Sequence, residues 1–186
     1  MAGMNEHSAE LTIENRMGFH VRPVQRFAGI ARLFKADVEV EMRKGRVPGK
    51  SIINLMSLGG RHGDKMKVTA RGDDAEQCIK ALTVLAEDRF FVEDNIDVHQ
   101  RPSRHIERLA AMASCFRSDI TAVLDDKAAD AKDVRALVSL GLRPTDEPRF
   151  QMRGEDAEQA QAVLDLLVCS SFYVEDQMVE KGSKTR

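Results

Sequence analysis

The chain is poor in the residues that announce several common chemistries. It has three cysteines, Cys78, Cys115 and Cys169, and none stands at a metal-ligand or redox spacing from another. Cys78 and Cys115 fall on the apolar sides of predicted helices and read as small core residues. Net charge is only -2, with 28 Lys+Arg and 30 Asp+Glu interspersed. That balance excludes the basic stripe of a nucleic-acid binder and the cationic face of a membrane-surface protein. No apolar run approaches the length of a membrane span, so no membrane insertion is expected. The first eight residues, Met1 to Ser8, are polar and lack the pattern of a signal peptide, which points to a cytoplasmic protein. A glycine-rich nucleotide loop is absent, as is any cluster of metal-ligating side chains. The chain is therefore expected to carry no cofactor and no metal, and not to be a self-sufficient kinase.

What is present begins at Gly18-Phe19-His20-Val21-Arg22-Pro23. Downstream, Val24, Phe27, Ala28, Ala31 and Phe34 follow the i, i+3, i+4, i+7 spacing of a helix with one buried face. Proline is tolerated in the first turn, so the helix is predicted to run from Val21 or Arg22 to about Phe34, with His20 at or beside its N-cap. A helix N-terminus offers unpaired N–H groups and a positive dipole end. Arg22 adds a planar cation suited to phosphate. Imidazole is a nucleophile near neutral pH. These six residues fit a transient phosphohistidine, and they equally fit a histidine that merely caps a helix.

The rest of the chain is a repeat. Shifted by 82 residues, Arg71-Gly-Asp-Asp-Ala-Glu-Gln77 lies on Arg153-Gly-Glu-Asp-Ala-Glu-Gln159, and the helix face at 24, 27, 28, 31 and 34 becomes Ile106, Leu109, Ala110, Ala113 and Phe116. Two tandem domains are expected, 1–95 and 96–186. In the first, Leu11 to Glu14 reads as a short strand, Asp37 to Met42 and Lys65 to Ala70 as alternating strands, and Arg46 to Lys50 as a short irregular strand or loop. Ser51 reads as the N-cap of a short helix ending at Gly59-Gly60. Asp73 and Glu76 resemble a capping box for a helix to about Glu87. The order is β-α-β-β-α-β-α. It predicts an α+β fold, an open-faced sandwich with helices on one face of an antiparallel sheet. Phe90 to Val98 has two readings: the end of the first unit, or the first strand of the second.

Gly18 to Pro23, together with Lys50-Ser51-Ile52-Ile53-Asn54-Leu55-Met56-Ser57-Leu58-Gly59, resembles the active-site and regulatory-serine motifs of the histidine-containing phosphocarrier (HPr) family of the phosphoenolpyruvate-dependent phosphotransferase system. The likeness covers about residues 10–89 and includes the element order. It implies that His20 accepts a phosphoryl group from the system's first enzyme and passes it to sugar-specific or regulatory acceptor proteins. It assigns phosphate stabilisation to Arg22 and phosphorylation by an HPr kinase, found in some bacteria, to Ser51, which is otherwise an ordinary N-cap. Ile52, Leu55 and Met56 are expected on a partner-docking patch, because the short helix carries more apolar residues than one face can bury.

The second copy departs from that pattern where it matters. In register, His20 falls on Pro102, Arg22 on Arg104, Pro23 on His105 and Ser51 on Asp133. A displaced His99-Gln100-Arg101-Pro102 restores the histidine motif three residues early, without a glycine just before it. A degenerate copy kept for interaction or regulation is expected. His7, His62 and His105 are expected to be solvated. A non-catalytic adaptor that binds partners through this fold is the alternative to a phosphocarrier.

Overall fold

The computed structural model describes residues 5–92, 104–143 and 146–169. The chain folds as two compact units, Met1–Asn95 and Ile96–Arg186.

The first unit contains β1 (Glu6–Thr12), α1 (Val21–Leu33), β2 (Asp37–Met42), β3 (Gly45–Pro48), α2 (Ile52–Leu58), β4 (Lys65–Arg71), α3 (Ala75–Glu87) and a 3-10 turn (Arg89–Phe91). Its sheet has the order β1-β4-β2-β3, and every pair is antiparallel. Alternation places Val38, Val40 and Met42 of β2, and Met66, Val68 and Ala70 of β4, on the buried face. Val24, Phe27, Ala28 and Ala31 of α1, and Cys78, Ala81, Leu82 and Leu85 of α3, are buried with them. Each large side chain so removed from water contributes about 1.5–3 kcal/mol before entropy is counted.

Two local expectations are corrected, and one open reading is settled as a strand. The first strand is Glu6–Thr12, earlier than Leu11 to Glu14. It lies at the sheet edge with only Leu11 buried, so it carries little alternation, and the ladder to β4 with the pairs Glu6–Arg71 and Glu10–Lys65 fixes it instead. The irregular segment forms a true strand, Gly45–Pro48, paired with β2. There is no capping box at Asp73. The N-cap of α3 is Asp74, whose carboxylate does not cap its own helix. It accepts from the N–H groups of Lys35 and Ala36, both at 2.7 Å, and so pins the turn between α1 and β2.

The second unit contains α4 (Arg104–Ala113), β5 (Asp119–Leu124), β6 (Lys127–Asp130), α5 (Val134–Leu140), β7 (Arg149–Arg153) and α6 (Ala157–Cys169), with sheet order β6-β5-β7. The five helix-face residues that the repeat predicts, Ile106, Leu109, Ala110, Ala113 and Phe116, are all buried. Several ties recur at the same offset. Asp156 accepts from the N–H groups of Arg117 and Ser118 as Asp74 does from Lys35 and Ala36. Lys132 donates to the Phe116 carbonyl at 2.8 Å as Lys50 does to Phe34 at 2.7 Å. Gly141 ends α5 in the left-handed region as Gly59 ends α2.

Of the ambiguous segment Phe90 to Val98, residues Phe90, Phe91 and Val92 are buried in the first unit. The remainder lies outside the described residues, as do His99 and Pro102. His105 differs from expectation: it is half-buried, with Nε2 within 3.0 Å of the Leu142 carbonyl oxygen.

Candidate functional site

The loop before α1 is fixed at each end. Gly18 has φ +74, and its N–H donates to the Asn15 carbonyl at 2.8 Å. A Cβ at Gly18 would stand 2.5 Å from the Gly60 carbonyl oxygen, so both the conformation and the space require glycine. The Phe19 N–H donates to that same carbonyl at 2.9 Å, joining the loop to the end of α2. The Phe19 ring is buried edge-on against Phe27, with centroids 5.8 Å apart, and tilted against Phe90 at 5.1 Å. Phe19 is therefore an anchor, a role its sequence position did not suggest.

His20 follows directly. It is the N-cap of α1, with extended backbone and its carbonyl accepting from Val24 N–H at 3.1 Å. Its side chain makes no capping hydrogen bond and is half-buried. His20 thus holds the N-cap position without the side-chain hydrogen bond to the first-turn N–H groups that a capping residue normally makes. The imidazole is left beside the positive end of a helix whose first turn holds no acidic side chain. Arg22 stands exposed one residue into that turn. By contrast, burial pushes the Cys78 thiol up to about 12, with the Asp74 carboxylate adding to the effect, so it is no competing nucleophile.

Ser51 is the N-cap of α2, and its Oγ accepts from Asn54 N–H at 3.4 Å. It is half-exposed. On α2 itself the expected patch needs one correction. Leu55 is fully buried and belongs to the core, because only one stripe of a seven-residue helix can face inward. Ile52 is half-buried and Met56 exposed, and Ile53, at 82% exposure, takes the outward place. Met17 and Val21, on either side of His20 in the sequence, are exposed as well. On α5 the matching positions Val134 and Val138 are exposed too, behind an Asp133 N-cap that accepts from the N–H groups of Arg135 and Ala136. Among the described residues there is no group that would hold a metal ion, and no helix is long and apolar enough to cross a membrane.

Residues 7–88 and again 86–169 match the family described as the phosphotransferase-system HPr component phosphorylation site. The chain belongs to the HPr family. It is built of two tandem HPr domains, α+β in fold, of the phosphocarrier type found in the phosphotransferase system. The phosphocarrier protein HPr of Mycoplasma pneumoniae is 36% identical over 80 residues, 42% of this chain and 90% of the relative. The multiphosphoryl transfer protein of Xanthomonas campestris is 34% identical over 95 residues, 51% of this chain. The phosphoryl donor subunit of the phosphoenolpyruvate-dependent dihydroxyacetone kinase of Escherichia coli is 36% identical over 83 residues, 45% of this chain. The matches span only 11% and 18% of those last two proteins. A crystal structure of HPr from Thermoanaerobacter tengcongensis covers 47% of the chain and 99% of that HPr, at 39% identity and a TM-score of 0.45.

Proposed function

We propose that the first HPr domain is a phosphoryl carrier and that His20 is its acceptor. The observation that carries this is the N-cap histidine whose side chain is released from capping, on a loop immobilised by Gly18 and Phe19. In the transfer, an unprotonated imidazole nitrogen attacks phosphorus on the donor. The new N–P bond forms as the donor–phosphorus bond breaks. The positive N-terminal end of α1 and the Arg22 guanidinium stabilise the charge on the phosphoryl oxygens. The donor is the first enzyme of the phosphoenolpyruvate-dependent system, and the acceptors are sugar-specific or regulatory proteins that dock over Ile52, Ile53 and Met56. The setting is the cytoplasm. Phosphorylation of Ser51 by an HPr kinase would add up to about two negative charges beside that surface and weaken docking.

For the second domain the binding-only reading is favoured, since proline stands at position 102 in register with His20. It keeps exposed valines on α5 and a permanent carboxylate at Asp133.

Incubation with radiolabelled phosphoenolpyruvate and the first enzyme tests the assignment. Label that is lost in acid, kept in alkali and absent from His20→Ala is expected. Equal labelling of His20→Ala would refute it.

A further inference from the structure

The turn at the end of the first domain is held in an unusual way. Arg89, Phe90 and Phe91 all have positive φ, at 51, 56 and 54, a run that side-chain-bearing residues adopt only when their surroundings force it. Each of their carbonyls is bound by a side chain. Asn15 Nδ2 donates to Arg89 O at 2.9 Å. Arg26 Nη1 donates to Phe90 O at 3.2 Å and to Phe91 O. Asn15 precedes His20 by five residues and Arg26 follows it by six, so the donors bracket the histidine. The Phe90 ring also lies against Phe19, the residue directly before it. Asn15 is 1% exposed, and its Oδ1 has no partner among the described residues. A buried acceptor left unpaired is a cost that stability alone does not explain.

The repeat separates two kinds of tie. Those joining helices to the sheet recur in the second unit: Asp74 with Asp156, and Lys50 with Lys132. Around the histidine it is the sequence that departs. In register with Asn15, Gly18, Phe19 and His20 the sequence carries Asp97, Gln100, Arg101 and Pro102. Arg26 keeps a counterpart in Arg108, and Phe90 and Phe91 keep theirs in Phe172 and Tyr173. The residues lost together with the histidine are those of its own loop, Asn15, Gly18 and Phe19.

From this we infer that the 89–91 turn is a strap that sets the attack geometry of His20, and that Asn15 and Arg26 are positioning residues for phosphoryl transfer. The inference rests on the carrier reading above. Neither residue touches the phosphoryl group; each acts by holding the turn, which holds Phe19, which fixes the backbone of His20.

The test is steady-state phosphorylation of the full-length chain by the first enzyme and phosphoenolpyruvate, with Asn15→Ala, Arg26→Lys and Asp74→Ala. All three remove a tie within the first domain, and circular dichroism fixes a temperature at which each is folded. A displaced nucleophile slows chemistry without loosening docking, so Asn15→Ala is expected to lower kcat about ten-fold with KM held within about two-fold. Arg26→Lys keeps the charge but shortens the side chain, drawing the donor back from the Phe90 and Phe91 carbonyls, and is expected to behave alike, which covers the case of an Asn15→Ala protein that does not fold. Asp74→Ala is expected to lose thermal stability and keep kcat. Undiminished kcat in both loop variants, or a loss no larger than in Asp74→Ala, would overturn the strap. A wild-type chain that takes no phosphate would overturn the carrier reading and the strap with it.

Discussion

The division of labour on α2 gives a prediction in which two neighbouring residues fail in opposite ways. Leu55 is fully buried and Ile53 is 82% exposed, although they are two residues apart on a seven-residue helix. Leu55→Ala removes a packed side chain and leaves a cavity, which costs about 2–5 kcal/mol. Domains of this size have total stabilities of about 5–15 kcal/mol, so the first domain would lose a large part of its margin and melt roughly 10 °C or more lower. Ile53→Ala exposes no core and should change stability by less than about 0.5 kcal/mol. If Ile53 is central to docking, its truncation costs about 1.4 kcal/mol of binding, roughly a ten-fold rise in KM for phosphorylation by the first enzyme. The assay is thermal unfolding of both variants beside KM measured at a temperature where both are folded. The reasoning fails if Leu55→Ala melts with the wild type, or if Ile53→Ala is destabilised while its KM stays unchanged.

Further predictions follow from single contacts. Gly18→Ala places a Cβ 2.5 Å from the Gly60 carbonyl and forces alanine to φ +74, so the loop must shift; a loss of at least about 1–2 kcal/mol and slowed phosphorylation are expected from denaturant titration and rate assays. Ser51→Ala removes the N-cap acceptor of α2 and should cost about 1 kcal/mol, read from the same titrations. In the second domain, burial works to raise the Asp156 carboxyl, but the Ser118 hydroxyl and the Arg117 and Ser118 N–H groups outweigh it and hold the pKa below its ordinary 3.8. The ionised group therefore stabilises the fold above about pH 4, and that contribution is lost as pH falls through the folded pKa. The stability advantage of the wild-type chain over Asp156→Asn, read from denaturant titrations, should be full above about pH 4 and shrink as pH falls through the folded pKa.

Much of this was legible in the sequence, for stated reasons. Strong periodicities marked α1, β2 and β4, and their buried faces contain the expected residues. The ungapped repeat carried the core of the second unit over from the first, down to Phe116. The histidine loop was legible because glycine, arginine and proline each have a positional meaning at a helix start. What stayed hidden depended on distant partners. The edge strand β1 is written in polar residues, and only its ladder to β4 fixes it. Asp73 looked like a cap because Glu76 follows it at the right spacing, and the role of Asp74 was hidden because its partners, Lys35 and Ala36, lie nearly forty residues earlier. Leu55 and Ile53 could not be sorted because five of the helix's seven positions are apolar. Phe90 was ambiguous because the contact that decides its place is with Phe19, across the whole first domain.

The central claim is that one histidine, His20, carries the phosphate. Intact-protein mass spectrometry at neutral to alkaline pH, after incubation with phosphoenolpyruvate and the first enzyme, tests it most directly. Wild type and His99→Ala should each gain one acid-labile phosphate, and His20→Ala should gain none. Two phosphates on the wild type would mean that the second domain is also a carrier, and a phosphate on His20→Ala, or none on the wild type, would contradict the account.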